Sequence, residues 1–309
     1  MPTIKVEDTA FVRYGAPDLQ QMKAFLLDFG MVEVRATPDR LWMRGSGAAP
    51  FVHVTERGEA GFRALGFRAR SVEDLAKLAA REGVPVEPLD DPGGGSVVRL
   101  RDPGGYNIEV VAGQQAAPRR QSGVRQSWNV AENASRLREA KRVTAGPSTV
   151  LRLGHVAIIV DEVKRSWDWY ADRLGLLSSD EAMAPEGGVA AVFLRCDLGA
   201  NPADHHSLNL ASAPGAASSF HHAAFEVGDL DDLMAGHQFL TEHGYRHRWG
   251  VGRHNVGSQV FDYWADPWGH RLEHWTDGDL FTADDPAQVV DLPFMLGSQW
   301  GPPIPGDFL

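Results

Sequence analysis

Two histidines and one glutamate in the second half of the chain have residue types and spacing suited to a divalent metal ion. His155 opens a β-rich run, His222 holds the corresponding place in a second run, and Glu273 lies on a third. Side chains alternate faces along a strand, so residues at matching places in neighbouring strands can converge inside a curved sheet. Two imidazoles and one carboxylate leave several metal positions open, which favours iron(II) over zinc.

The elements that would position these residues repeat along the chain. HVAIIVDEVKRSWDWYADRLGL and AFVRYGAPDLQQMKAFLLDFGM each combine a β-branched run with apolar residues at helical spacing. FHHAAFEVGDLDDLMAGHQFLTEHGY and FRALGFRARSVEDLAKLAAREGV form a second pair, and each is followed by a D-P-x-G turn between two strands. Four βαβββ units are therefore predicted, at residues 7–56, 62–113, 151–212 and 219–276.

This repeat predicts an α+β fold of two domains, each made of two βαβββ modules, with mixed curved sheets and the helices outside. The expected organisation is a non-catalytic pair over residues 1–113, a linker over 114–150, a metal-binding catalytic pair over 151–276 and a C-terminal extension over 277–309. A short helix is expected within the linker, from Ala131 to Arg142.

The two halves differ in the residues that could do chemistry. Of the 12 histidines, His53 alone precedes residue 150. Aligning the repeats places Glu109 opposite Glu273, but about Ala10 and Ala64 opposite the two histidines. Alanine cannot ligate a metal, so only the second half is expected to bind one, and Glu109 is interpreted as a solvated or ion-paired residue.

Composition excludes several other classes of function. The net charge is -11 and no run of basic residues occurs, which argues against nucleic acid or an anionic membrane as the partner. No window resembles a membrane span, and the N-terminus lacks the apolar segment of an export signal. Cys196 is the single cysteine, which fits a reducing compartment, and a cytoplasmic location is expected.

Four blocks in the second half resemble the type I extradiol ring-cleavage dioxygenases (catechol 2,3-dioxygenase-like) of the vicinal oxygen chelate superfamily. LGHVAI and FHHAAFEV resemble the two metal-histidine strands, and HHSLNL resembles the strand with a catalytic histidine. GRHNVGSQVFDYWADPWGHRLEHW resembles the long signature, in which GRH, a tyrosine and the metal glutamate recur. The resemblance implies the vicinal oxygen chelate, or glyoxalase-like, fold.

The resemblance also implies roles. His155, His222 and Glu273 would hold Fe(II), with Mn(II) as an alternative. His206 would face O₂, the co-substrate. His254 and Tyr263 would hydrogen-bond the oxygens of a catechol, and meta cleavage would give a hydroxymuconic-semialdehyde-type product. The neighbours His205 and His221 are expected to be structural, on the opposite face of their strands.

The sequence says less about the identity of the substrate than about the residues of the site. No Lys or Arg follows Arg271 in the sequence, which favours a neutral alkyl-, aryl- or hydroxy-substituted catechol. Arg246, Arg248 and Arg253 keep a carboxylate-bearing catechol such as homoprotocatechuate open. Aromatic side chains expected along the pocket are Phe193, Phe261, Trp264 and Phe294.

Further alternatives are another activity of the same superfamily, such as a glyoxalase, or a protein that sequesters a ligand without catalysis.

Gly257 stands where some relatives have an acidic residue, so Asp262 or a backbone carbonyl is expected to orient His254. The resemblance further implies a homo-oligomer.

Overall fold

A computed structural model describes residues 1–120, 127–184, 187–212 and 217–308. The first half comprises β1 (Val6–Ala16), α1 (Leu19–Asp28), β2 (Val32–Ala36), β3 (Arg40–Arg44), β4 (His53–Arg57), β5 (Gly61–Ala69), α2 (Val72–Glu82), β6 (Glu87–Pro88), β7 (Ser96–Arg101) and β8 (Asn107–Ala112). Its described strands form one mixed sheet in the order β2-β3-β4-β1-β5-β8-β7-β6.

The second half repeats this arrangement and extends it. It comprises β9 (Arg152–Ile159), α3 (Val163–Leu174), β10 (Leu177–Met183), β11 (Val189–Arg195), β12 (Ala203–Asp204), β13 (Leu208–Ala211), β14 (Ser219–Glu226), α4 (Leu230–Glu242), β15 (Arg246–His254), β16 (Val260–Ala265), β17 (Arg271–Thr276), β18 (Leu280–Phe281), β19 (Gln288–Asp291), α5 (Leu292–Met295) and β20 (Ser298–Trp300). The larger sheet has the order β19-β10-β11-β13-β9-β14-β17-β16-β15-β20, and β12 pairs with β18. The expected α+β fold with mixed sheets is confirmed.

The helices form where the apolar spacing predicts them. In α3, Val163, Tyr170 and Leu174 are buried on one face, and the helix ends at Gly175, whose φ of 73° lies in the left-handed region. In α4, the side chain of Asp229 accepts the backbone N–H of Asp232 and caps the first turn. Among the described residues, no helix is both long enough and apolar enough to cross a membrane.

Both D-P-x-G segments form the predicted hairpin turns. The carboxylate of Asp102 accepts the backbone N–H of Tyr106, and that of Asp266 accepts the N–H of His270. The turns connect β7 to β8 and β16 to β17, which pair in antiparallel fashion. In the second half, this turn fixes the register between β16 and β17 and therefore the position of Glu273.

The helix expected from Ala131 to Arg142 is wrong. The segment contains turns and one isolated bridge between Val130 and Asn133. The side chain of Asn129 accepts the backbone N–H of Arg136 and donates to its carbonyl. Such side-chain to backbone bonds compete with the helical pattern and here replace it.

Candidate functional site

Three adjacent central strands of the larger sheet bring His155, His222 and Glu273 together. In β14, Ala224 is paired with His155 of β9 on one side and with Glu273 of β17 on the other. His222 lies two residues before Ala224 and therefore points to the same face of β14. All three side chains are buried.

Their donor atoms form a nearly equilateral triangle. The Nε2 atoms of His155 and His222 lie 3.3 Å apart, and they lie 3.2 and 3.3 Å from Oε2 of Glu273. Ligands held at about 2.0–2.2 Å from one ion are separated by about 2.8–3.6 Å, depending on the coordination geometry. The triangle therefore fits a single metal ion.

The electrostatics of the triangle also fit a cation. Neither carboxylate oxygen of Glu273 has a well-aligned hydrogen-bond donor among the described residues, although the side chain is fully buried. A buried carboxylate without a cation or donors costs much free energy. Burial lowers the pKa of His222 well below its ordinary value, although Glu273 opposes this shift. The imidazole is therefore neutral and its lone pair is available to a metal.

His206 lies beside this triangle, just before β13. Its ring centroid is 4.0 Å from that of His155 and 4.5 Å from that of Phe193. Burial, reinforced by His155, lowers the pKa of His206 well below the ordinary value. Its Nδ1 lies 3.0 Å from Nδ1 of His205, whose Nε2 is hydrogen-bonded to Asp180. The neutral ring of His206 is therefore fixed from one side and exposes Nε2 on the other.

His254 and Tyr263 form a pair on the next two strands. The hydroxyl of Tyr263 lies 3.0 Å from Nε2 of His254, and Tyr263 is paired in register with Glu273. Burial, followed by the charge of Glu273, raises the pKa of Tyr263 well above its ordinary value. Tyr263 therefore stays a neutral phenol that can donate a hydrogen bond.

A cavity of about 100 Å³ opens onto these groups. The predicted metal and catalytic residues that line it are His155, His222, His206, His254 and Tyr263, and Phe193 lines it as expected.

The other three aromatic residues expected along the pocket do not line it. Phe261 packs against Trp249 in a neighbouring apolar cluster, and Trp264 is buried with its indole directed at Asp262. Phe294 is half exposed on α5. The walls are formed instead by Trp249 and by the end of the chain, through Met295, Ile304 and Phe308. No periodic signal marks these tail residues, because their segment contains few regular elements.

His221 is a pocket residue that the sequence interpretation placed on the wrong face. The pairing of β14 with β9 shifts between Phe220 and His222, which leaves His221 in a β-bulge. A bulge interrupts the alternation of faces, so two consecutive residues can approach the same cavity. Nδ1 of His221 lies 2.6 Å from Nδ1 of His222, and its Nε2 lies 3.0 Å from the carbonyl oxygen of Phe308.

One further expectation is revised. Asp262 does not orient His254, because its carboxylate is bonded to His237, His247 and Trp264. Gly257 has a φ of 75°, and a Cβ there would lie 3.0 Å from Nδ1 of His205. A side chain at this position would therefore press on the residue that contacts His206.

Comparison with known proteins finds several similar sequences. Residues 152–274 match the family described as the Glyoxalase/Bleomycin resistance protein/Dioxygenase superfamily. Metapyrocatechase 2 of Cupriavidus necator is 29% identical over 95% of this chain and 88% of its own length. The manganese-dependent 2,3-dihydroxybiphenyl 1,2-dioxygenase of Geobacillus genomosp. 3 is 25% identical over 92% of this chain and 89% of its own length.

Solved structures share the fold. The Mn(II)-bound glyoxalase of Novosphingobium aromaticivorans superposes with a TM-score of 0.79 at 24% identity, covering 98% of this chain and 93% of the other. Homoprotocatechuate 2,3-dioxygenase of Arthrobacter globiformis superposes with a TM-score of 0.75 at 19% identity. The match covers 94% of this chain and 86% of the other. The matched stretch of residues 152–274 contains all three residues of the triangle, and the resemblance deduced from the motifs is confirmed.

Proposed function

We propose that this protein is an extradiol dioxygenase, which opens a catechol ring beside its two hydroxyl groups and incorporates both atoms of O₂. The observation that carries the proposal is the triangle of His155, His222 and Glu273 opening onto a small cavity lined by His206, His254 and Tyr263. Two similar proteins bear the names of ring-cleaving dioxygenases. The product would be of the hydroxymuconic-semialdehyde type.

The triangle would hold Fe(II) or Mn(II). Two imidazoles and one carboxylate accept either ion, and the Geobacillus relative is named as manganese-dependent. When bound, the metal would supply Lewis-acid chemistry to a catechol and would allow electron transfer between the ring and O₂. Fe(II) is the expected ion, as the sequence resemblance implies.

The surrounding residues bind the substrate and move its protons. The phenolic hydroxyl of Tyr263 donates to a catechol oxygen, and Nε2 of His254 supports that hydroxyl. His206 is neutral, so Nε2 can take up a proton from the substrate side and return it later in the reaction. Phe308 and Ile304 add apolar surface to the wall of the cavity.

A neutral catechol fits the cavity better than a carboxylate-bearing one. Among the described residues that line the cavity, none is Lys or Arg. Arg248 is paired with Asp307 at 2.9 Å, and Arg253 is paired with Asp277 at 2.8 Å. These two guanidinium groups are therefore engaged elsewhere, and an alkyl, aryl or hydroxyl substituent is expected on the ring.

The direct test is anaerobic reconstitution with Fe(II) or Mn(II), followed by O₂ uptake and visible spectra with a panel of catechols. The panel should include catechol, 2,3-dihydroxybiphenyl and homoprotocatechuate. We expect a yellow ring-cleavage product and a higher kcat/KM for the neutral members. Absence of product from every catechol, with the metal confirmed in place, would refute the proposed activity.

His206→Ala tests the role of His206 within this site. The variant should retain metal and bind catechol, because His206 is not a corner of the triangle. Turnover should fall by about 10²–10⁴-fold, the usual effect of losing a general acid or base. Single-turnover kinetics after anaerobic loading of the catechol separate binding from chemistry. Full activity in this variant would mean that the role belongs to another group.

A further inference from the structure

A second cluster of metal-type side chains lies outside the cavity, between α4 and the edge of the larger sheet. It consists of His237 on α4, His247 on β15 and Asp262 on β16. Nδ1 of His237 lies 3.1 Å from both carboxylate oxygens of Asp262, and Nε2 of His247 lies 2.8 Å from Oδ1. The donor atoms of all three residues lie within 4.8 Å of one another.

The carboxylate at the centre of this cluster is oriented by the surrounding protein. Asp262 is fully buried, and the indole Nε1 of Trp264 donates to its Oδ2 at 2.6 Å. On the other side, Gly250 leaves room for Oδ1, because a Cβ at Gly250 would lie 2.9 Å from that atom. Oδ1 is therefore directed towards the two histidines.

The two imidazoles are partly exposed to solvent, whereas the carboxylate is not. The side chains of His237 and His247 are 26% and 33% exposed, whereas Asp262 is 0% exposed. Their rings stand nearly perpendicular, at 88°, with centroids 5.0 Å apart. Three donor groups thus converge on one point. A water molecule could occupy the fourth coordination position of an ion there, on the side of the two imidazoles.

We propose that His237, His247 and Asp262 form a second metal site that can bind Zn²⁺, with water as the fourth ligand. Two histidine nitrogens and one carboxylate oxygen, completed by a water molecule, are a ligand set that zinc accepts. Zinc ligands at about 2.0–2.2 Å are about 3.3–3.6 Å apart in a tetrahedron, so the present 2.8 and 3.1 Å need to widen by roughly 0.2–0.8 Å. Trp264 is the hydrogen-bond partner that metal-bound carboxylates usually have.

The location suggests what bound zinc would do. Asp262 directly precedes Tyr263, so the two side chains lie on opposite faces of β16. His247 lies on β15, the strand that ends at His254. Zinc would therefore link α4 to the two strands that carry His254 and Tyr263. It would stabilise that wall of the cavity from the opposite face of the sheet.

The experiment uses protein whose first site is already loaded with Fe(II), handled anaerobically, and dialysed against a small excess of Zn²⁺. Elemental analysis should find one iron and one zinc per chain, and the melting temperature should increase with zinc. His237→Ala and His247→Ala should lose the zinc and keep the iron. His243→Ala is the matched control, because His243 lies just after the same helix and bonds only locally to Phe239; it should retain both metals.

Trp264→Phe tests the orienting hydrogen bond, and we expect zinc affinity to fall by about tenfold or more. If Fe-loaded protein takes up no zinc, or if the histidine variants retain it, the cluster is a buried ion pair and the proposal is overturned. Melting curves without zinc show whether each variant is folded. None of these readouts depends on ring cleavage, so failure here is distinguishable from failure of the proposed dioxygenase activity.

Discussion

Glu109 and Glu273 occupy equivalent positions in the two halves, but their surroundings differ. Glu109 is paired with Arg13, whose Nε lies 2.9 Å from its carboxylate, and with Arg99 at 3.3 Å. The guanidinium of Arg13 also reaches Asp91. The first half therefore neutralises its buried carboxylate with arginine, whereas the second half presents the carboxylate to the imidazoles of His155 and His222.

Glu273→Gln should abolish binding of the catalytic metal, because an amide oxygen carries no charge to offset the cation. Metal content per chain after anaerobic reconstitution is the measurement. Glu109→Gln is the control: it should lower stability by weakening the pair with Arg13 but leave metal content unchanged. Equal metal loss in both variants would contradict the assignment of the site to one half.

His53 predicts a pH dependence of stability. It is fully buried, and burial, followed by the charge of His270, lowers its pKa from 6.5 to about 3. Between these pH values the unfolded state binds a proton that the folded state does not, so stability falls as the pH drops below about 6.5.

His53→Phe should remove that contribution, since phenylalanine can keep the stacking on Tyr14, whose ring centroid is 4.7 Å away. The free energy of unfolding from urea titrations should fall by about 2 kcal/mol less between pH 7 and pH 5 than in the parent protein. Parallel pH curves for the two proteins would mean that His53 is not responsible.

Strand alternation explains how much of the site could be predicted from the sequence. His155, His222 and Glu273 could be proposed because each occupies the same place in its strand and the D-P-x-G turns align the repeats. The bulge at His221 broke that rule, and no residue pattern marks it. Bulges between Thr9 and Phe11 in β1 and between Ala224 and Phe225 in β14 also interrupt the alternation. Because of them, the residue of the first half that is equivalent to His155 is Phe11 and not Ala10.

Gly154 on β9 makes the strand next to His155 sensitive to a single methyl group. A Cβ at Gly154 would lie 2.4 Å from the ring of Trp275, which is itself buried on β17. Gly154→Ala should lower the free energy of unfolding by about 1–3 kcal/mol through overpacking. It should also weaken metal binding, because β9 and β17 carry two corners of the triangle.

The matched control for this substitution is Gly61→Ala at the start of β5. A Cβ there meets no heavy atom within 4 Å. We expect little change in denaturation midpoint or metal affinity for that variant. If Gly154→Ala behaves like Gly61→Ala, then the close packing of β9 on Trp275 does not position His155.

The first half of the chain contacts the strand that carries Glu273. His274 follows Glu273, and its ring stacks on Phe29 at 3.8 Å while its Nε2 lies 2.8 Å from the carbonyl oxygen of Phe29. A second contact joins Tyr170 to Asp102 at 2.7 Å. We propose that the two halves are domains, as the repeat predicts, and that the first half supports the second. These contacts were not readable from the sequence, because they join residues far apart in the chain.

Phe29→Leu tests this support. Loss of the stacked ring should lower the free energy of unfolding by about 1–3 kcal/mol, and the freed His274 should let Glu273 shift and raise the Kd for Fe(II). Phe51→Leu is the control, because Phe51 is equally buried but packs on Phe11 within the first half. It should cost similar stability without changing the Kd. Both variants are measured by anaerobic titration with Fe(II), which gives the Kd, and by urea denaturation, which gives the free energy of unfolding. If the two Kd values change equally, metal affinity follows general stability and not the contact between Phe29 and His274.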